Sequence, residues 1–212
     1  MEGTTKRDKA QTKKKILTAV DTILLSEGVE GIGVNKVAKY SGVSKQLIYR
    51  YFDGLDGLLR EYVSQKDFWR LMVKNVHGRS NGVDSHNLQQ VASYLLEKQF
   101  DVFYHNRIMR ELMRWSITDK DHTAMAEMIA AREKAGIPLV QKIDKHLGLT
   151  DCQFGAVAAL LLAGVYFLAL RAHTQKGTFC GIDINDELGQ QEIKKALRFI
   201  NELLFEAAEK GR

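Results

Sequence analysis

Proline is nearly missing from this chain: one residue in 212, at Pro138. Proline is excluded from helix interiors and punctuates turns, so its scarcity fits long helices joined by short connections. Runs of alternating β-branched and aromatic residues bounded by hairpin turns are also missing, and strands are therefore not expected. Only two cysteines occur, Cys152 and Cys180, too few for a disulfide scaffold or a cysteine-based zinc site. A reducing, cytoplasmic setting is the expectation that follows. No apolar segment with a small-residue cleavage site follows the charged start MEGTTKRDKAQTKKK, so no signal peptide is expected.

The usual signatures of enzymes are missing too. There is no Gly-x-Ser-x-Gly elbow, no phosphate-binding loop and no Gly-x-Gly-x-x-Gly. The six histidines, at 77, 86, 105, 122, 146 and 173, include no His-x-x-x-His pair. No catalytic residue, metal site or cofactor is expected.

One long apolar run is present. Residues 154–170, FGAVAALLLAGVYFLAL, carry no charge. Seventeen residues sit at the lower limit of a membrane span, which needs about 20. The run is rich in alanine, and the rest of the chain reads as soluble. The expectation is a helix covered by its own core or by an oligomer interface, not by lipid.

Charge is uneven. Residues 1–54 hold ten Lys/Arg against six Asp/Glu, a net +4 of the chain's +5. A basic N-terminal segment suits a polyanion such as nucleic acid, although a solvated basic tail has the same composition.

Apolar periodicity is helical from the start. Ile16, Val20, Ile23 and Leu24 form one stripe, and Gly28 is placed to end that helix. Short helices are expected over 34–40 and 45–52, with the glycine pair of DGLDGL, residues 53–58, before a long helix over 56–76. Further helices are expected over 88–104, 107–117, 123–146 (kinked or split at Pro138), 152–174 and 191–209. The fold class is therefore all-α. A basic three-helix unit at residues 1–54 would be followed by a larger helical domain at 55–212.

The segment VAKYSGVSKQLIYRYF, residues 37–52, has the layout of a helix-turn-helix. Ala38 is small where two helices cross. Gly42 can take positive φ in the turn. Ser44 is positioned as an N-cap, its hydroxyl able to accept from the amide of Gln46 or Leu47. Val43 and Ile48 can form a hydrophobic staple. Ile48, Phe52, Leu55 and Leu59 continue one inward stripe, which turns Lys45, Gln46, Tyr49 and Arg50 outward. Gln can pair with an adenine edge, Lys and Arg with guanine or phosphate, and Tyr with a phosphate oxygen.

On these residues the N-terminal quarter resembles the DNA-binding domain of the tetracycline-repressor-like (TetR/AcrR) transcriptional regulators. The resemblance spans residues 12 to about 62 and rests on IL at 16–17, EG at 27–28, VAKYSGVS at 37–44, LIYRYF at 47–52 and LL at 58–59. It implies DNA readers at Lys45, Gln46, Leu47, Tyr49, Arg50 and Tyr51, and Ser44 at the start of the same helix is a further candidate. Leu47 could make only an apolar contact, for instance with a thymine methyl. Two positions depart from the family pattern: Gly33 replaces the threonine that commonly caps the second helix, and Leu55 replaces a phosphate-touching lysine. Lysines 13–15, Lys15 included, are candidates to compensate.

The resemblance further implies double-stranded DNA bound at a palindromic operator, a homodimer through the last two helices, and release by a small-molecule effector, the usual behaviour of a repressor. Alanines 158, 159 and 163 with Gly164 would let helices approach closely across that dimer. It implies an effector pocket among the middle helices. Trp69, Met72, Tyr94, Phe103, Tyr104, Met109, Met113, Trp115 and Tyr166 are candidates to line it, each with ordinary core packing as the alternative.

Overall fold

Helices account for nearly all the regular structure of the computed structural model. It describes residues 2–66, 72, 87–118, 123–150 and 152–210, with side chains from Asp8 onward. Among these the helices are α1 (Glu2–Glu27), α2 (Val34–Ser41), α3 (Lys45–Phe52), α4 (Gly54–Lys66), α5 (Leu88–His105), α6 (Arg107–Thr118), α7 (Thr123–Leu147), α8 (Phe154–Ala172) and α9 (Glu187–Lys210). A single 3-10 turn, Val29–Gly31, separates α1 from α2. The all-α expectation holds. α7 runs through Pro138 as one element instead of splitting there. α4 begins at Gly54, so Gly57 lies inside its first turn and not in a break. Trp69 and the expected end of that helix near residue 76 lie outside the described residues.

The chain divides into two packed units. The first comprises residues 1–67 and 107–130, and the second residues 68–106 and 131–212. α7 contributes its opening residues to the first unit and the remainder to the second.

In the first unit α1 packs against α2, α4 and α6, while α3 packs between α2 and α4. The stripe read from the sequence is the core: Ile16, Val20 and Ile23 are wholly buried, with Leu24, Val37, Ile48, Leu58, Leu59 and Tyr62. Met109, Leu112, Met113 and Trp115 of α6 are also buried. Arg107 opens α6 by donating from Nη2 to the carbonyl of Leu25 at 2.7 Å. Polar contacts fasten α4 to α1. Lys13 Nζ lies 2.7 Å from Glu61 Oε2, Tyr62 donates its hydroxyl to Asp21 Oδ1 at 2.7 Å, and Lys66 donates to Asp21 Oδ2 at 2.9 Å.

In the second unit α5 packs against both α8 and α9. One cluster joins Leu88, Ala92 and Leu95 to Ile143, Leu147, Phe154 and Phe205, and a second joins Leu96 and Phe100 to Val165 and Leu197. Arg198 of α9 donates to both carboxylate oxygens of Glu97 on α5, at 2.9 and 3.1 Å. Asn201, fully buried, donates to Ser93 Oγ at 2.8 Å and to the carbonyl of Gln89 at 3.0 Å. α8 is long and apolar enough to cross a membrane. One side of it packs inward through Phe154, Ala158, Val165 and Ala169. Its opposite side is exposed, with Leu160 at 75% and Phe167 at 52%.

Candidate nucleic-acid interface

The presentation of α3 is set by the turn before it. Gly42 adopts φ +66°, and its amide closes α2 on the carbonyl of Ala38. The amide of Val43 reaches the same carbonyl at 3.3 Å, so two turn donors share the end of α2. Ser41 adds to the turn: its hydroxyl donates to the carbonyl of Val37 at 2.7 Å and accepts from the amide of Val43 at 3.3 Å. Any Cβ at Gly42 would meet no atom within 4 Å, so the demand for glycine there comes from backbone conformation and not from space.

Ser44 occupies the N-cap of α3 with extended dihedrals, φ −65° and ψ 147°. The expected hydroxyl cap is not made: no side-chain hydrogen bond closes this end. The main chain does the work, the carbonyl of Ser44 accepting from the amides of Leu47 at 3.1 Å and Ile48 at 3.4 Å. The Ser44 hydroxyl thus stands on the exposed side of the helix start, beside amides that favour an anion.

α3 is sharply two-faced. Ile48 is wholly buried and Phe52 is 5% exposed. Lys45, Gln46, Tyr49 and Arg50 are exposed together, with Tyr49 at 58%. Leu47 and Tyr51 are half-buried between those faces. Tyr51 turns toward α1, where Lys9 Nζ lies 5.4 Å from its ring centre. Lys13 is committed elsewhere: besides Glu61, it lies 4.7 Å from the ring centre of Phe52. Lys14 and Lys15 remain exposed on α1.

The end of α3 needs two left-handed residues in succession, Asp53 at φ +60° and Gly54 at φ +91°. The amide of Asp53 closes α3 on the carbonyl of Tyr49 at 2.8 Å. At Gly54 the left-handed φ is what favours glycine, since a Cβ there would only touch the Tyr49 ring at 3.4 Å, an ordinary contact. Gly57 is more tightly constrained, because a Cβ there would stand 1.6 Å from the carbonyl oxygen of Phe52. In the sequence this glycine has the look of a turn signal. The closeness of α4 to the end of α3 is a tertiary fact the sequence does not supply.

α2 is held from its other side. The Glu27 carboxylate accepts from Lys36 Nζ and, at 3.3 Å, from the Tyr40 hydroxyl. The Lys36 hydrogen bond holds the Glu27 carboxyl below the usual range of an exposed glutamate. These contacts were not anticipated; Glu27 and Lys36 are nine residues apart on different helices, and only the fold joins them.

The expected effector-pocket residues fall in both units. Met109, Met113 and Trp115 belong to the first, where all three are buried. Met72, Tyr94, Phe103, Tyr104 and Tyr166 belong to the second. There Phe103 and Tyr166 are in ring contact at 4.5 Å, and buried Gln99 donates to the Tyr166 hydroxyl at 3.2 Å. Tyr104 stacks on Phe100 at 5.9 Å, Met72 is part of the apolar cluster, and Tyr94 is 38% exposed. Among the described residues no group of His, Cys, Asp and Glu could hold a metal ion.

Residues 16–62 match the family model for bacterial regulatory proteins of the tetR family. No curated protein matches the chain in sequence. Solved structures match along nearly its whole length. GusR of Salmonella enterica aligns with TM-score 0.62 at 17% identity, covering 92% of this chain and 96% of its own. A TetR family transcription regulator from Marinobacter aquaeolei VT8 aligns with TM-score 0.62 at 18% identity, covering 90% and 97%. FadR, the fatty acid degradation regulator of Bacillus halodurans, aligns with TM-score 0.62 at 15% identity, covering 87% and 97%. At such identities these likenesses establish a shared fold.

Proposed function

We propose that this chain, whose residues 16–62 match the model of the tetR family of bacterial regulatory proteins, is a DNA-binding transcriptional regulator that binds a palindromic operator as a homodimer and leaves it when a small molecule binds its larger helical domain. The observation that carries the reading is the two-faced α3. Ile48 and Phe52 lock it to the core while Lys45, Gln46, Tyr49 and Arg50 project together from the end that enters a major groove in this motif. Gln46 and the cations supply base-edge contacts. Tyr49, Ser44 and Lys15 supply phosphate contacts, Tyr51 flanks them, and Leu47 supplies an apolar one.

The dimer reading rests on α8 and α9. Exposed apolar residues recur at helical spacing on both: Ala156, Ala159, Leu160, Ala163 and Phe167 on one, and Leu188, Ala196, Phe199, Ile200 and Leu203 on the other. A second copy of the chain covers these faces, which makes lipid unnecessary for α8 and suits a soluble cytoplasmic regulator. Small residues along α8 permit close helix approach.

The effector reading rests on the Gln99–Tyr166–Phe103 group, a part-buried polar pair against the Phe103 ring. An effector that binds better to a conformer with the two recognition helices wrongly spaced lowers operator affinity by population shift. Bound sequences selected from random DNA test the DNA reading. Enrichment of an inverted repeat supports it, and failure to enrich any sequence overturns it.

A further inference from the structure

The first unit contains a cleft that this reading does not use. Its volume is about 390 Å³, at the small end of the roughly 300–1,000 Å³ typical of ligand sites. Val29, Glu30 and Ile32 form one wall, Leu55 and Leu59 of α4 a second, and Trp115 and Thr118 of α6 a third. Trp115 and Leu59 belong to the buried core, so the floor is apolar. Val29, Ile32 and Leu55 are half-buried and carry that character outward.

Glu30 is the single charged residue among the described residues of the lining. Its side chain lies back over Gly28, where a Cβ would stand 2.9 Å from Oε2. Lysine 36, on the following helix, is already engaged by Glu27. The lining combines an apolar floor with one exposed acidic residue, Glu30.

We propose that this cleft is a small-molecule site for an organic monocation with a compact apolar body, the body seated among Val29, Ile32 and Leu55 above the Leu59–Trp115 floor and the charge beside Glu30. A neutral molecule of equal size gains only the apolar part, and an anion is opposed by Glu30. The site lies at both ends of the helix-turn-helix, against the turn that leads into α2 and the helix that follows α3. It is separate from the effector site proposed in the second unit, and its fate does not depend on that site.

Benzyltrimethylammonium is a suitable probe, with benzyl alcohol and phenylacetate as neutral and anionic comparators. Methyl NMR on the full chain reads both location and affinity. The cation is expected to shift the methyls of Val29, Ile32, Leu55 and Leu59. Glu30→Gln should weaken it about two- to fivefold, the range for an exposed charge pair without a hydrogen bond. Thr118→Phe, at an exposed position, should block the cleft and remove those shifts while the remaining methyl spectrum is unchanged. The proposal is overturned by equal binding of phenylacetate, by undiminished affinity in Glu30→Gln, by shifts centred on other methyls, or by no shift at about 10 mM probe.

Discussion

The hydroxyl of Tyr62 donates to the carboxylate of Asp21 across 2.7 Å, with Lys66 on the other oxygen of that carboxylate at 2.9 Å. This pair fixes α4, which follows α3, to α1, the longest helix of the first unit. Tyr62 is wholly buried. Burial first, and then the hydrogen bond to Asp21 and its charge, hold the phenol well above its ordinary value of 10.0.

A stability-versus-pH prediction follows from that direction. A group whose pKa is raised on folding contributes stability that is complete below the unfolded value and lost as pH rises. Above pH 10 the unfolded chain releases the Tyr62 proton and the folded chain keeps it. Stability should then fall by about 1.4 kcal/mol per pH unit from this group. Tyr62→Phe should lower stability at pH 7 by about 1–2 kcal/mol, because Asp21 retains Lys66 as partner. The variant should also show a shallower decline above pH 10. Urea titrations of both proteins at pH 7 and pH 11 check it; equal slopes would contradict the assignment.

Two glycines of the same domain should respond in opposite ways. A Cβ at Gly57 collides with the Phe52 carbonyl at 1.6 Å, so Gly57→Ala must displace α4 from the end of α3. A loss of at least about 2 kcal/mol is expected, with weaker DNA binding. Gly33 caps α2 with φ −157°, and a Cβ there meets nothing within 4 Å. Gly33→Thr should therefore be tolerated, gain a few tenths of a kcal/mol as a cap, and add a hydroxyl near the phosphates. Thermal melting of both variants beside the wild type separates the two outcomes.

The salt dependence of DNA affinity should count the phosphate contacts. Lys15→Ala should reduce the magnitude of the slope of log K against log salt by about 1 and weaken all sequences alike. Gln46→Ala should leave the slope unchanged and cost about 1–3 kcal/mol on the selected site alone. Anisotropy titrations at several salt concentrations distinguish the roles. A sequence-dependent loss for Lys15→Ala, or a uniform loss for Gln46→Ala, would reverse the assignments.

Leu160 and Phe199 are exposed at 75% and 58% on α8 and α9. Replacing either by Glu should change the stability of a single chain by less than about 0.5 kcal/mol, since neither side chain is buried in it. Each should nonetheless convert dimer to monomer in sedimentation velocity by placing a charge in a dry interface. A sedimentation coefficient unchanged from wild type would place the dimer elsewhere.

The local rules were legible in the sequence. Gly42 in its left-handed turn, the inward Ile48 and Phe52, and the outward polar residues of α3 follow from spacing and side-chain chemistry alone. What escaped is non-local. Ser44 occupies the N-cap position, yet its hydroxyl makes no capping bond, and the Leu47 amide goes to the Ser44 carbonyl instead. Lys13 was read with its neighbours as a basic cluster, but Glu61, 48 residues away, claims it. Residues 107–130 carry an ordinary amphipathic pattern, and nothing in it says that Trp115 packs within the first unit. Periodicity reports which face of a helix is buried and not what covers it, which is why the pocket candidates separated into two groups.

In the function proposed above, α3 reads DNA as one of a symmetric pair. The most direct test of this is selection of bound sequences from random DNA, run with the wild type and with Gln46→Ala/Tyr49→Ala. The wild type should enrich an inverted repeat with half-site centres about one helical turn apart, roughly 34–36 Å. That enrichment should be lost in a double variant that still melts as the wild type does. The same repeat enriched by both proteins, or no repeat from the wild type, would contradict it.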